Sequence, residues 1–429
     1  MVDRTPQEFG GAPDGLSDST AAIQAAIDAA GPAGDEVVIA GGIFRISDQL
    51  NCPHDGLKIK GNGGIQAMTA TWSAEAAMLN VTGTGITIEG DGLLLDQGNI
   101  IPDGNTLRAT GAAGLTIAGL VSRNSQHAFL VLGDNCTDVL VDDVYHHGGG
   151  YGVLAADPQG LARIRIRDSL FEHPGVGPTG DGIQLDCPTH GCDDVSVTGV
   201  TMRGYTGEAV GHGAGFSCTR VTGTLLLGCL SELCESDGFR WQQESHNAVA
   251  FNCRALSCGT PDHVGDGGSG FVVYDSSRWH GESLLALACW YHGIALSGQN
   301  SGAHPLDNVI ARCSALDIGR DCFHFTAQAS ATITRCRARD ASLNAPGSYA
   351  AYHHARQGGA TLENVDCLGD NNTVISTGAS TPLGDTVVRA ASVNCMVNGV
   401  SGGTAIARVT EDGVIRLTES GEERLLETA

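Results

Sequence analysis

Aromatic residues make up only 5% of the 429-residue chain and charged residues only 17%. A bundle of large amphipathic helices draws on more of both, so that architecture is disfavoured. Positive charge is scarce as well: 24 Lys and Arg stand against 48 Asp and Glu, a formal net charge of −24. This balance excludes a nucleic-acid binder, whose affinity rests on neutralising phosphates. It speaks less strongly against a polyanionic sugar, because a local basic stripe can operate on an acidic protein. No apolar run is long enough to cross a membrane as a helix. The opening MVDRTPQEF lacks the basic start and apolar stretch of a signal peptide, so synthesis in the cytoplasm without a cleaved signal is expected. No Pro/Ser-rich linker or charge block divides the chain, which admits one elongated domain.

What the sequence does have is glycine, 61 residues of it, and 15 cysteines. Near the start, Pro13-Asp14-Gly15 is turn chemistry and Asp18 or Ser19 can cap a helix. Ile23, Ala26, Ile27 and Ala30 then recur at the spacing of one helical face. Gly31-Pro32 is expected to end that helix, and EVVIAGGIFRIS to follow as two short strands around a Gly-Gly turn.

Beyond it, one strand recurs: YGVLAA at Tyr151, DGIQLD at Asp181, AGFSCT at Ala214, DGFRWQ at Asp237, SGFVVY at Ser269, HGIALS at His292 and DCFHFT at Asp321. A small residue precedes an in-out-in alternation each time, at intervals of 23 to 33 residues. Such an irregular period, built of strands, means stacked coils with loops of variable length. The expected fold is all-β, a right-handed single-stranded parallel β-helix, with the early helix capping its exposed strand edges. The expected boundaries are an N-terminal arm and capping helix over 1–35, the β-helix over 36–400 and a short-strand tail over 401–429.

A second strand trails the first and ends in Cys229, Cys253, Cys289, Cys313, Cys336 and Cys367, which predicts one internal column of thiols. A ladder of buried thiols behaves as a column of small hydrophobes, and free thiols fit folding in a reducing compartment. No Cys/His spacing is zinc-like, so neither a metal nor another cofactor is expected.

The opening residues carry a resemblance. The FGG start, the Asp14-Gly15 pair, the DSTAAIQAAIDAA helix and VVIAGGIFRIS together resemble the N-terminal signature of pectate-lyase-like β-helix proteins, which include polygalacturonases, alginate epimerases and phage tailspikes. The resemblance implies a carbohydrate lying along the outer face of the stacked strands; it does not choose among lyase, hydrolase, epimerase and binder. GDGIQLD followed by EAVGHGAGF is similar to the Asp-Gly and Gly-His-Gly elements of polygalacturonases, which implies an acid/base role for Asp181 and a helper role for His212. The paired Asp-Asp and the later Arg-Ile-Lys of that family are missing from the matching positions. So are the Asp-Pro-His-Glu run of the epimerases and an evident carboxylate cluster for the calcium of pectate lyases.

Read from the alternation, Ile183 and Leu185 point inward and Gln184 and Asp186 outward. Carried along the stack, this register sends Ser217, Arg240, Gln242, Val272, Tyr274, Ala295, Ser297, His324 and Thr326 outward. Gln184, Arg240, Gln242, Tyr274 and His324 are the expected sugar contacts. A glycosidase wants two carboxylates about 5 to 9.5 Å apart, and Asp181, Asp186, Glu208, Asp237 and Glu244 are the candidates. Asp181 and Asp237 each precede Gly and read equally as turn residues. His246 and the pair His353-His354 can assist proton transfer, or simply be solvated. Two arginine runs, Arg163, Arg165, Arg167 and Arg335, Arg337, Arg339, place three guanidinium groups on one strand face, for gripping anions or for pairing with the surplus acids. Trp279 or Trp290-Tyr291 can serve as a sugar-stacking ring if exposed.

The tail from Ala405 departs from the coil pattern and either folds back over the last coil or packs against other subunits, a trimer being the expectation by analogy with tailspikes. Three functions remain open: a polysaccharide-binding spike of a phage or phage-like particle that attaches to a capsular or surface glycan, a depolymerase (hydrolase or lyase) on the same scaffold, and a purely structural assembly protein. The first is the preferred expectation, with polysaccharide, other particle proteins and further copies of the chain as partners and the particle surface as location.

Overall fold

Short parallel strands follow one another at intervals of a few tens of residues, each pairing in register with its counterpart one coil on. The structure is a computed structural model that describes residues 2–344 apart from 70–71, 74–75, 175–179, 208–211, 261–266, 299–306, 326–330, 340 and 342. Beyond 344 it describes only the strands Ala350–His354, Ala360–Glu363, Val365–Leu368, Thr373–Thr377, Thr386–Ala390, Met396–Asn398 and Val414–Leu417. Two compact units are formed, Met1–Ser217 and Cys218–Ala429. Each is a stack of parallel β-helical coils.

In the first unit the helix Thr20–Ala33 packs on the strands Glu36–Ile39 and Leu50–Cys52. Ile23, Ala26, Ile27 and Ala30, the face anticipated from their spacing, are completely buried, each isoleucine contributing roughly 1.5–3 kcal/mol. The helix runs past Gly31-Pro32, where it was expected to stop, and ends at Gly34 with φ 65°. A proline disfavours helical backbone at the residue before it partly through a clash with that residue's Cβ, and Gly31 has none. A Cβ on Gly31 would also lie 2.3 Å from the side chain of His54, so the same glycine lets the helix seat on the coil beneath. Above the helix, Leu79, Leu107, Leu130, Val153 and Ile183 form one inward column, each in register with the next.

In the second unit the inward column is aromatic: Phe239, Phe271, Ile294, Phe323 and Tyr352 are in register. Phe239 and Phe271 stack with ring centroids 5.0 Å apart, and Phe323 and Tyr352 at 4.7 Å. Coils rise by about 4.8 Å, which is also a comfortable stacking distance, so identical rings on successive coils meet face to face.

The cysteines form two columns here, which corrects the single one expected. Among the left-handed positions of each coil, two recurring ones precede an inward side chain that is mostly a thiol. One bend holds Gly228, Asn252, Ser283, Arg312 and Arg335 (φ 53° to 64°), followed by Cys229, Cys253, Leu284, Cys313 and Cys336. The other holds Leu233, Ser257, Ala288 and Asp317 (φ 52° to 57°), followed by Cys234, Cys258, Cys289 and Ile318. Backbone hydrogen bonds keep the columns apart: Arg254 N donates to Cys229 O and Leu285 N to Cys253 O, whereas Gly259 N donates to Cys234 O and Trp290 N to Cys258 O. Cys289 therefore belongs to the second column, and Cys367 lies in register with Ala338 instead of Cys336. All described cysteines are buried and unbridged. The neighbouring Cys229 thiol, together with burial, pushes the Cys253 thiol far up, and burial pushes Cys52 up to about 12.

Arg335 occupies one of these bends, so it does not share a strand face with Arg337 and Arg339 as expected. Arg165 and Arg167 do share an exposed face of Leu161–Arg167, whereas Arg163 stands, like Arg335, at a left-handed residue (φ 56°) that the strand register skips; Asp138 takes Arg163 bidentately at 2.6 and 2.7 Å and Asp142 takes Arg167 at 2.7 Å. In the tail, Val414–Leu417 pairs antiparallel with Thr386–Ala390, folding back on its own chain.

Candidate functional site

The residue that enters each short strand occupies one repeating position, filled by Tyr151 and Asp181 in the first unit and by Asp237, Ser269, His292 and Asp321 in the second. What each carboxylate touches decides what it can do. Asp181 is fully buried, and its Oδ1 accepts the backbone N–H of Ala214 at 2.8 Å, holding the next turn. Asp237 is fully buried too, with Oδ1 accepting from Gly268 N at 2.9 Å and Ser269 N at 2.8 Å. Its Oδ2 meets Arg240 Nε at 2.7 Å, and Arg240 Nη2 donates to Ser236 Oγ. Arg240 does face away from the aromatic column, but it is only 4% exposed. The expectation of an outward guanidinium open to a ligand is thus corrected, since the ion pair with Asp237 keeps it down.

In the first unit Asp181, Asp186 and His212 gather around Tyr151. The phenol stands 3.4 Å from His212 Nδ1. Burial pushes the phenol up to about 12, with the charges of Asp181 and Asp186 adding to it. Gln184 and Asp186 are half-buried on the outer face, and Gln184 Oε1 is shielded from solvent.

In the second unit the position changes character. Asp321 Oδ2 lies 2.8 Å from His324 Nδ1 and 3.5 Å from His292 Nδ1. The two imidazole rings stack with centroids 4.1 Å apart and planes 20° apart. The carboxylate is nearly buried, with 4% of its side chain exposed, while His324 keeps 22%. Local structure fixes all three: Ile294–Ser297 and Phe323–Phe325 pair in register, with Ala295 opposite His324, and Gly293 N donates to Asp321 O. Tyr291 meets His292 edge-on at 5.7 Å, and the Arg320 guanidinium sits 3.4 Å over the Tyr291 ring. Such a carboxylate can orient an imidazole for proton transfer. Among the described residues, these three also offer metal-capable donor atoms within 4.8 Å of one another.

The remaining candidates are placed apart from this cluster. Glu244 is exposed and pairs with Arg220 at 3.2 Å. Gln242 donates to Thr219 Oγ1 at 3.0 Å, and Tyr274 is half-buried in register with Ser297. His246 accepts the N–H of Ser277, and burial, with Arg278 nearby, holds its imidazole below the usual range. Trp279 is fully buried against Trp241 and is no surface platform, whereas Trp290 and Tyr291 are half-buried. Glu208, Thr326 and the side chains of His353 and His354 lie outside the described residues. Asp237 and Asp321 enter strands three coils apart, about 14 Å at ~4.8 Å per coil, beyond the roughly 5–9.5 Å of a glycosidase pair. His292 and Asp321 were not singled out from sequence. The signal was there, because both begin a copy of the recurring strand.

Residues 5–156 match the family described as rhamnogalacturonase A/epimerase, pectate lyase-like, a stretch that ends before the His292–His324 region. No curated protein matches the sequence. Among solved structures, the N-terminal fragment of bacteriophage phi29 gene product 12 is similar at a TM-score of 0.62 with 12% identity, over 90% of this chain and 72% of that one. The pre-mature form of the same phage protein gives 0.52 and 14%, over 87% and 51%. The catalytic unit of a GH87 α-1,3-glucanase from Streptomyces thermodiastaticus gives 0.57 and 14%, over 87% and 65%. The chain thus spans less than two thirds of the glucanase unit. At these identities the likeness is one of fold.

Proposed function

On the pectate-lyase-like β-helix fold that this chain carries, we propose that it binds an extended polysaccharide along the outer face of its short-strand row, as a surface spike of a phage or phage-like particle that attaches to a capsular or surface glycan. The observation that carries this reading is the commitment of the carboxylates. Asp181 and Asp237 hold backbone, Asp237 also holds Arg240, and Glu244 pairs with Arg220. Three of the five carboxylates expected to perform acid/base work on a glycosidic bond are therefore employed in architecture or in a surface ion pair, while Asp186 stays half-buried on the outer face. Around them, half-buried Gln242, Tyr274 and Ser297 present polar and aromatic groups one coil apart, with His324 on the neighbouring outward position in register with Ala295, an arrangement suited to a repeating sugar chain. The fold likeness to a phage protein and the buried thiols support placement on a particle assembled in a reducing compartment. A homotrimer, with other particle proteins as neighbours, belongs to the same proposal.

A second reading, depolymerisation, is favoured by one geometry only, the 2.8 Å contact that orients His324 on buried Asp321. One experiment separates the two. Purified protein is incubated with panels of capsular, acidic and neutral polysaccharides, and both retention on the glycan and release of reducing ends or unsaturated products are followed. Retention without product, weakened in Tyr274→Ala, is the expected result. Product release abolished in Asp321→Asn would establish the depolymerase instead.

A further inference from the structure

We propose that His292, Asp321 and His324 form a binding site for one divalent transition metal ion of the zinc class. The three donors come from two successive coils of the second unit and are fixed by strand register, so the site is built into the fold. Asp321 Oδ2 faces both Nδ1 atoms, at 2.8 and 3.5 Å, and all three donor atoms lie within 4.8 Å of one another. A tetrahedral ion with bonds of about 2.0–2.2 Å to nitrogen and oxygen holds its ligands roughly 3.3–3.6 Å apart, whereas the donors here stand from 2.8 Å to at most 4.8 Å apart, so coordination requires Asp321 Oδ2 to draw back from His324 and the stacked rings to turn until both lone pairs meet at one point.

The donor types select the ion. Two imidazoles and one carboxylate suit zinc, cobalt, nickel or copper, whereas calcium and magnesium want shells of oxygen. A metal requires ring nitrogens with a lone pair and an ionised carboxylate. The carboxylate is nearly buried and the rings shield it, while the 22% exposure of His324 leaves a way in. Three protein ligands leave at least one coordination position open to water or to an oxygen of a bound molecule. None of this depends on the polysaccharide reading.

The test uses the full chain, stripped with chelator and titrated with zinc chloride by calorimetry and with cobalt chloride by visible absorption. The expected result is one equivalent of either ion per chain, with the intensified cobalt band of a low-coordinate nitrogen/oxygen site. His292→Ala and Asp321→Asn should each weaken binding by more than the ~10–100-fold typical of losing a ligand's supporting partner. His280→Ala, on another strand, should leave it unchanged. Should a variant fail to fold by circular dichroism, the cobalt spectrum and a zinc-dependent rise in Tm of the unaltered protein still decide the matter. Absence of both in the unaltered protein, or stoichiometric binding retained in folded His292→Ala and Asp321→Asn, overturns the proposal. Metal binding without glycan retention would leave this site standing and remove the proposed function; glycan retention without metal binding would do the reverse.

Discussion

The surroundings of Asp237 and of Asp321 make an instructive pair, because both residues enter a short strand of the second unit at the same point of the coil. Around Asp237 the donors are backbone N–H groups and a buried arginine, and nothing opens to solvent. Around Asp321 they are two histidines, one of them reachable from outside. The same residue type at the same repeat position is architecture in one place and a candidate chemical centre in the other, and the difference lies in the partners.

The largest effect should follow from breaking the closed site. Asp237→Ala leaves the Arg240 guanidinium buried without its counter-charge, a change that costs about 3–5 kcal/mol, read as a lower urea midpoint. Replacing both partners with apolar residues, Asp237→Leu with Arg240→Met, should recover part of that loss. If the double substitution is as damaging as the single one, the backbone contacts of Asp237 matter more than the ion pair.

Histidines offer a matching contrast. His146 in the first unit is completely buried between Ser122 and Ser125, with no carboxylate among its partners in the described residues, and burial holds its imidazole down at about 3. Below about 6.5 the unfolded chain takes up a proton there that the folded chain refuses. The stability that His146 contributes is therefore complete above pH 6.5 and is lost as pH falls from 6.5 toward 3, by on the order of 5 kcal/mol at one pKa unit per ~1.4 kcal/mol. Urea unfolding at pH 7 and pH 4.5 checks it: His146→Gln should flatten the pH dependence, and an unchanged slope would show that other groups set it.

Much of this fold is legible in residue pattern alone. The capping helix declares itself through Ile23, Ala26, Ile27 and Ala30, and the coils through a small residue followed by alternation. The bends are only partly legible: Gly228, Asn252 and Asp317 carry residue types that favour left-handed backbone, but the same backbone at Leu233, Ser257 and Ala288 leaves no mark in residue type. Two such bends per coil split the cysteines into two columns where trailing Cys residues suggest one. His292 and Asp321 are hidden for a related reason. A residue just before a strand reads as a turn former, and only the neighbour one coil away, some thirty residues off in sequence, gives it another meaning.

The open site should tolerate change better than the closed one. Asp321→Asn keeps an acceptor for His324 Nδ1 and lies beside a partly exposed ring, so its cost should be about 1–2 kcal/mol, near the low end for a hydrogen bond to a charged group. A loss as large as that of Asp237→Ala would mean that Asp321 also serves the fold.

The smallest effect is expected at Arg163. It makes a better-aligned pair than Arg240 does, bidentate to Asp138 at 2.6 and 2.7 Å, and Asp138 is held below the usual carboxylate range chiefly by that contact. Yet 46% of the arginine side chain and 51% of the aspartate are exposed. Water and salt already solvate both charges, so removing one strands nothing. Arg163→Ala should leave the urea midpoint unchanged at physiological ionic strength. A clear loss there would show that short distances, more than burial, decide what an ion pair contributes in these coils, and would reopen the distinction drawn between Asp237 and Asp321.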